Sequence, residues 1–189
     1  MKRLFIVHGW AESSQTPLMA WLGKKGTELS FETTLLDMPN THVPTIDAWV
    51  KHLEDNVYYV DEETYFIGHS IGCQAILRYL ATQQGSKIGG AVFIAPFGVD
   101  ITDIAPGEDT DIMRPWIQNP IPFVHISPMT RNFTVIFSDN DPKIPLEANK
   151  AYFEKALNPK FVIEHNKGHF NEKAGVTILE SVFPNLMSN

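Results

Sequence analysis

Short runs of β-branched and aromatic residues recur along the chain, at residues 4–7, 33–36, 64–67, 91–95, 133–137 and 161–163, and the stretches between them carry helical spacing. This alternation constrains the fold more than any other property, because it is the pattern of a parallel sheet whose crossovers are helices lying on both faces. The runs are near-continuously apolar, as strands covered on both sides are. Thr16-Pro17 supplies a helix cap followed by proline at the first helical position, so a helix is expected from there towards Leu29. Ile46, Trp49, Val50, Leu53 and Val57 form the apolar stripe of a second helix. Cys73, Ile76, Leu77, Leu80 and Ala81 repeat that stripe directly after Ser70. Later helices are expected over 146–157 and from 176 to about 183. The expectation is an α/β fold, a three-layer sandwich with a mainly parallel six-stranded sheet. At 189 residues and 43% apolar content, one domain has enough material for its own core.

Residues 97–132 break the rhythm. Pro106, Pro115, Pro120, Pro122 and Pro128 fall inside this stretch and Pro96 just before it, so no regular helix is expected to run through it. Connections this long are usually functional, and Ile112, Met113, Trp116, Ile121, Phe123 and Met129 make it too apolar for a free linker. Two readings stand: a small insertion or lid folded over one end of the sheet, or a helix with awkward flanks packed on the sheet face.

Composition removes several function classes. The net charge of −7 repels phosphate backbones and anionic lipid, so neither a nucleic-acid nor a membrane partner is expected. The single cysteine, Cys73, has no partner for an intramolecular disulfide and points to a reducing, cytoplasmic compartment. The apolar run after Lys2-Arg3 is too short for a signal-peptide core, and no stretch is long enough to span a membrane. There is no G-x-G-x-x-G after the first strand and no phosphate-binding G-x-x-x-x-G-K-[ST], so no cofactor is expected.

Chemistry enters at Gly68-His69-Ser70-Ile71-Gly72. Chance yields on the order of 0.06 G-x-S-x-G matches in a chain this long, and this one sits between an expected strand and an expected helix. In that context the serine occupies a sharp, strained turn, flanking glycines let neighbouring backbone approach, and the hydroxyl is exposed at the carboxyl end of the sheet. The opening helix also aims unpaired N–H groups and its positive dipole end at the same place. A serine nucleophile needs a base, and the base needs an acid to orient it. Residues 138–145 follow one strand and carry Asp139 and Asp141. Asn166-Lys167-Gly168-His169-Phe170 follows another. The order Ser70, Asp141, His169 is that of the α/β-hydrolase arrangement.

Nearly the whole chain resembles a minimal α/β hydrolase, specifically the small serine-hydrolase family that includes retinoblastoma-binding protein nine and YdeN-like bacterial proteins. The resemblance rests on His8-Gly9 after the first strand, the serine pentad, the turn Asp139-Asn140-Asp141-Pro142, and Gly168-His169. It implies Ser70 as nucleophile, Asp141 as acid and His169 as base, and it implies no particular substrate. Together with geometry it suggests the backbone N–H groups of Ile71 and Trp10 as the oxyanion hole; Trp10 otherwise serves as packing at a strand end.

Asp141 is favoured over Asp139, which suits hydrogen bonds within its own turn. Asp100, after the fourth strand, is a further place for the acid. His42 and His52 read as solvated or turn residues, and His125 has no evident partner among its prolines. His165 and His169 share the four-residue spacing of helical metal ligands, but Gly168 and the preceding strand argue against a helix, so no metal is expected. His69 reads as packed beside the serine, and His8 as a brace for the oxyanion loop or a strand cap. Cys73 and Trp49 read as core. Phe97, Met113, Trp116 and Phe123 suit an apolar acyl pocket or, equally, the core. The expected activity is hydrolysis of an ester, thioester or activated amide, carboxylesterase-like, on a small-molecule acyl substrate. The alternative is a protein-binding module that keeps the fold, with a partner docked through the Pro-rich insertion.

Overall fold

The computed structural model describes residues 1–99, 101–102 and 107–187, without the side chain of Glu108. The apolar runs become β1 (Arg3–Val7), β2 (Glu32–Leu36), β3 (Thr64–His69), β4 (Gly90–Ile94), β5 (Phe133–Ser138) and β6 (Lys160–Glu164). They form one sheet in the order β2-β1-β3-β4-β5-β6, parallel at every pairing. β3, β4 and β5 are buried along their whole length, whereas β2 and β6 are only half covered because each is an edge. Burial along the whole strand is thus confined to β3, β4 and β5.

The helices are α1 (Pro17–Glu28), α2 (Ile46–Asn56), α3 (Ile71–Thr82), α4 (Glu108–Gln118), α5 (Phe123–Ile126), α6 (Leu146–Leu157) and α7 (Val182–Leu186). Pro17 opens α1 as its sequence implies, but the Thr16 hydroxyl donates to the Ser13 carbonyl at 2.9 Å and caps nothing. The chain moves from β1 to β2 in one direction and from β2 through β6 in the other. Right-handed crossovers therefore put α1 on one face and α2, α3 and α6 on the opposite one. Contacts agree: Trp21 of α1 meets Phe183 of α7 edge-on at 6.1 Å, while α2 packs on α3, α3 on α5 and α5 on α6. Every residue of α3 from Ile71 to Ala81 is buried, which makes it the central helix of the core.

Two elements turn on prolines, and the second differs from expectation. A helix does run inside residues 97–132: α4 contains Pro115 and forgoes one backbone bond there. What holds it is tertiary. The Trp116 indole stacks edge-on against Trp49 at 5.8 Å and donates to the Pro44 carbonyl, and Arg78 of α3 donates to the carbonyls of Trp116 and Asn119. The last helix begins at Val182 instead of 176. The helix runs on through Pro184, which falls in its first turn, where no intrahelical donor is needed.

Candidate active site

Parallel pairing brings the carboxyl ends of all the strands to one edge of the sheet. The direction of winding reverses between β1 and β3, so the loops leaving these neighbours diverge to opposite faces and open a crevice. Ser70 leaves β3 into that crevice, and Gly9 to Glu12 leave β1.

Ser70 has φ 52° and ψ −119°, a region that costs a non-glycine residue about 1–3 kcal/mol. Its surroundings impose the strain. The Ser70 N–H is bonded to the Ile94 carbonyl of β4 at 2.9 Å, and its carbonyl accepts from Cys73 N–H at 3.0 Å. The flanking glycines allow the close approach: a Cβ on Gly72 would stand 2.5 Å from the Val7 carbonyl oxygen, and one on Gly68 would stand 2.9 Å from the Cys73 backbone. The side chain left projecting is the Ser70 hydroxyl, half-buried at the floor of the crevice.

His169 Nε2 lies 3.0 Å from Ser70 Oγ, and its Nδ1 lies 2.8 Å from Asp141 Oδ2. The other Asp141 oxygen accepts the N–H groups of Lys143 and Ile144, so the carboxylate, 1% exposed, is held by its own loop. The turn after β5 grips the His169 loop at successive points. Asp139 accepts from Asn166 N–H and pairs with His165 Nδ1 at 2.6 Å, and Asn140 Oδ1 accepts from Gly168 N–H at 2.8 Å. Asp139 therefore bonds the neighbouring loop, not its own turn, and Asp141 is the carboxylate that reaches His169. Asp100 lies outside the described residues. Burial lowers the pKa of the His169 imidazolium, and the adjacent His69 adds to this. The Asp141 hydrogen bond opposes both without reversing the shift.

A cavity of about 100 Å³ opens on Ser70, lined by Gly9, Trp10, Phe97, Ile101, Met113 and Ile144 among others. Phe97 and Met113 thus line it. Trp116 does not: it is the pillar between α4 and α2. Phe123 packs edge-on against Tyr152 and Phe153 of α6, so both are core rather than pocket. Met113, Trp116, Ile121, Ile126 and Met129 of the Pro-rich stretch all turn inward. Ile71 is the first residue of α3, where an N–H has no intrahelical partner, and among the described residues neither its N–H nor that of Trp10 bonds another group. The Trp10 indole donates to the His42 carbonyl at 3.0 Å, which anchors that loop.

The remaining histidines separate by their partners. His8 Nε2 receives the Met38 N–H at 3.0 Å and its Nδ1 faces the Gly9 carbonyl at 2.8 Å, so it braces the loop after β1 as a neutral ring. His165 and His169 point to different carboxylates, and among the described residues no group of three His, Cys, Asp or Glu side chains is placed to hold a metal. Cys73 is fully buried, and burial raises its thiol pKa. Sequence reasoning missed Glu12, whose carboxylate lies 2.9 Å from His69 Nδ1. Its partner is 57 positions away, and no local pattern announces the pairing. Among the described residues no helix is long and apolar enough to cross a membrane.

Residues 4–188 match the serine hydrolase family. The chain belongs to that family. It is 28% identical to YdeN of Bacillus subtilis (strain 168) over 188 residues, covering 99% of this chain and 95% of that one. It is 24% identical to the serine hydrolase RBBP9 of Rattus norvegicus, covering 86% and 78%. The crystal structure of the B. subtilis ydeN product superposes with a TM-score of 0.88 at 26% identity over 98% of this chain and 97% of that one. Est1E from Butyrivibrio proteoclasticus shares the fold, with a TM-score of 0.70 at 18% identity over 90% and 81%. The architecture is the α/β-hydrolase fold.

Proposed function

We propose that the protein hydrolyses esters of short carboxylic acids, with thioesters and activated amides as chemically equivalent substrates, through an acyl-enzyme on Ser70. The observation that carries this reading is the unbroken chain from Ser70 Oγ through His169 to Asp141, with contacts of 3.0 and 2.8 Å. Asp141 holds the proton on Nδ1, which leaves the Nε2 lone pair facing the serine hydroxyl. As Oγ bonds to the substrate carbonyl carbon, its proton passes to Nε2 and the carbonyl π pair moves onto oxygen. The N–H groups of Trp10 and Ile71 receive that oxyanion; one such donor is typically worth about 3 kcal/mol of the barrier. Collapse breaks the bond to the leaving group, which takes the proton from His169. Water then repeats the sequence: it gives its proton to Nε2, attacks the acyl carbon, and expels Ser70 Oγ, which is reprotonated by His169.

The small cavity, with Phe97 and Met113 in its lining, supports short acyl groups over long ones. Nitrophenyl acetate and nitrophenyl octanoate, each with wild type and Ser70→Ala, test the proposal. Turnover that favours acetate and disappears in the variant is expected. Turnover that survives Ser70→Ala contradicts the mechanism, and a preference for octanoate contradicts the acyl class.

A further inference from the structure

A second carboxylate–imidazole pair lies beside the first. Glu12 Oε2 sits 2.9 Å from His69 Nδ1 and also accepts the Gly9 N–H at 2.8 Å. The other ring nitrogen, His69 Nε2, sits 2.9 Å from the main-chain carbonyl oxygen of His169, and the two imidazole rings are 5.2 Å apart between centroids. A carbonyl oxygen only accepts, so Nε2 carries a hydrogen. The contact between Nδ1 and Glu12 also needs one proton, and imidazole is the stronger base by about 2 pKa units, so that proton belongs on nitrogen. With both nitrogens donating, His69 is an imidazolium. His8, a few residues from Glu12, shows the contrast: a main-chain N–H points at one of its nitrogens, which must therefore be bare.

The chain makes room for this pair. A Cβ at position 9 would stand 2.9 Å from Glu12 Oε2 and 3.0 Å from His69 Nδ1, so a side chain there would push into both partners. The His69 side chain is 1% exposed and that of Glu12 16%, which leaves little solvent to screen the charges.

On the hydrolase reading above, we propose that Glu12 and His69 are positioning residues: a buried carboxylate–imidazolium pair that ties the oxyanion loop to the main chain of His169 and sets a fixed positive charge beside the general base. Glu12 holds the Gly9 N–H next to Trp10. His69 holds the His169 carbonyl, and so the depth of its ring. The charged and titratable groups around His69 are Glu12 from the loop after β1, Asp141 from the loop after β5, His169 from the loop after β6, and neutral His8. Those around His169 are Asp141, His69 and Glu12. The positive His69 ring opposes a second positive charge on His169, and its influence there exceeds the opposing one of Glu12. The pair thus helps keep the base in its proton-accepting form.

Two measurements test this. In histidine-labelled wild-type protein, long-range ¹H–¹⁵N spectra across about pH 5 to 8 are expected to show His69 protonated on both nitrogens at neutral pH. A single neutral tautomer for His69 at pH 7 overturns the proposal, whether or not the protein turns over an ester. In His69→Gln the titration of His169 is expected to move up by about half a pH unit or more. The acid limb of kcat/KM on nitrophenyl acetate should follow it. A uniform fall in rate with the His169 titration unmoved would mean a purely structural pair and overturns the positioning role. The spectra read the titration without turnover, so failure of the pair and failure of the hydrolase reading give different results.

Discussion

Asp141–His169 and Glu12–His69 are nearly the same object: a carboxylate oxygen 2.8 or 2.9 Å from Nδ1, with the ring buried at the carboxyl end of the sheet. They differ in what Nε2 faces. For His169 it is a serine hydroxyl, which can give up its proton; for His69 it is a main-chain carbonyl, which can only accept one. On the proposed reading, that single atom makes one imidazole a base and leaves the other protonated at neutral pH. A third pair, Asp139–His165, has a still shorter contact of 2.6 Å, but its His165 side chain is 78% exposed, so solvent supplies whatever the ring needs. Proximity of a carboxylate to a histidine therefore says little about role until the third partner and the burial are known.

Substitutions in the three pairs should rank accordingly. Asp141→Asn is expected to have the largest effect on rate, lowering kcat on nitrophenyl acetate by about 10⁴-fold through loss of the tautomer that presents the Nε2 lone pair. A loss of less than about tenfold would mean that Asp141 does not orient the base. Glu12→Ala is expected to act mainly on stability. It leaves an imidazolium without its counter-ion and should cost about 3 kcal/mol in urea unfolding, with a smaller loss of rate than in Asp141→Asn. His165→Ala, at the exposed pair, is expected to leave both the urea midpoint and kcat within error of wild type.

The dependence of stability on pH sharpens the comparison further. Burial would raise the Glu12 pKa, but the His69 charge and the hydrogen bonds outweigh it and bring it down from 4.5 to about 2. Its contribution is therefore present above pH 4.5 and lost as pH falls towards 2. Burial would likewise lower His69, but Glu12 and its hydrogen bonds raise it above 6.5. That contribution is complete below pH 6.5 and lost as pH rises through the raised value. The stability difference between wild type and Glu12→Gln/His69→Gln should thus be greatest between pH 4.5 and 6.5. A difference that does not vary with pH would mean that the pair is uncharged.

The central sheet is legible in the sequence because β1 and β3–β5 are largely buried and largely apolar. The elbow is legible because a glycine two residues either side of Ser70 is a steric demand of the turn itself. Places after strands point to His169 and to the turn that holds Asp139 and Asp141, but position alone does not choose between those two carboxylates. Other features leave no local trace. Glu12 looks like any loop carboxylate, since its meaning comes from a ring brought up by β3. Trp116 and Phe123 look as suited to a pocket as to a core, because an apolar side chain does not encode which neighbour it will meet. The start of α7 and the path of α4 depend on how Pro184 and Pro115 are accommodated, which tertiary contacts decide.

The proposed catalysis depends on the reactivity of one hydroxyl, and a fluorophosphonate probe followed by peptide mass spectrometry reads it directly. The phosphonyl adduct is expected on Ser70 at neutral pH, to weaken as the medium is acidified through the titration of His169, and to be absent from Ser70→Ala. Wild-type protein that stays unlabelled, or an adduct that persists in the variant, would contradict it.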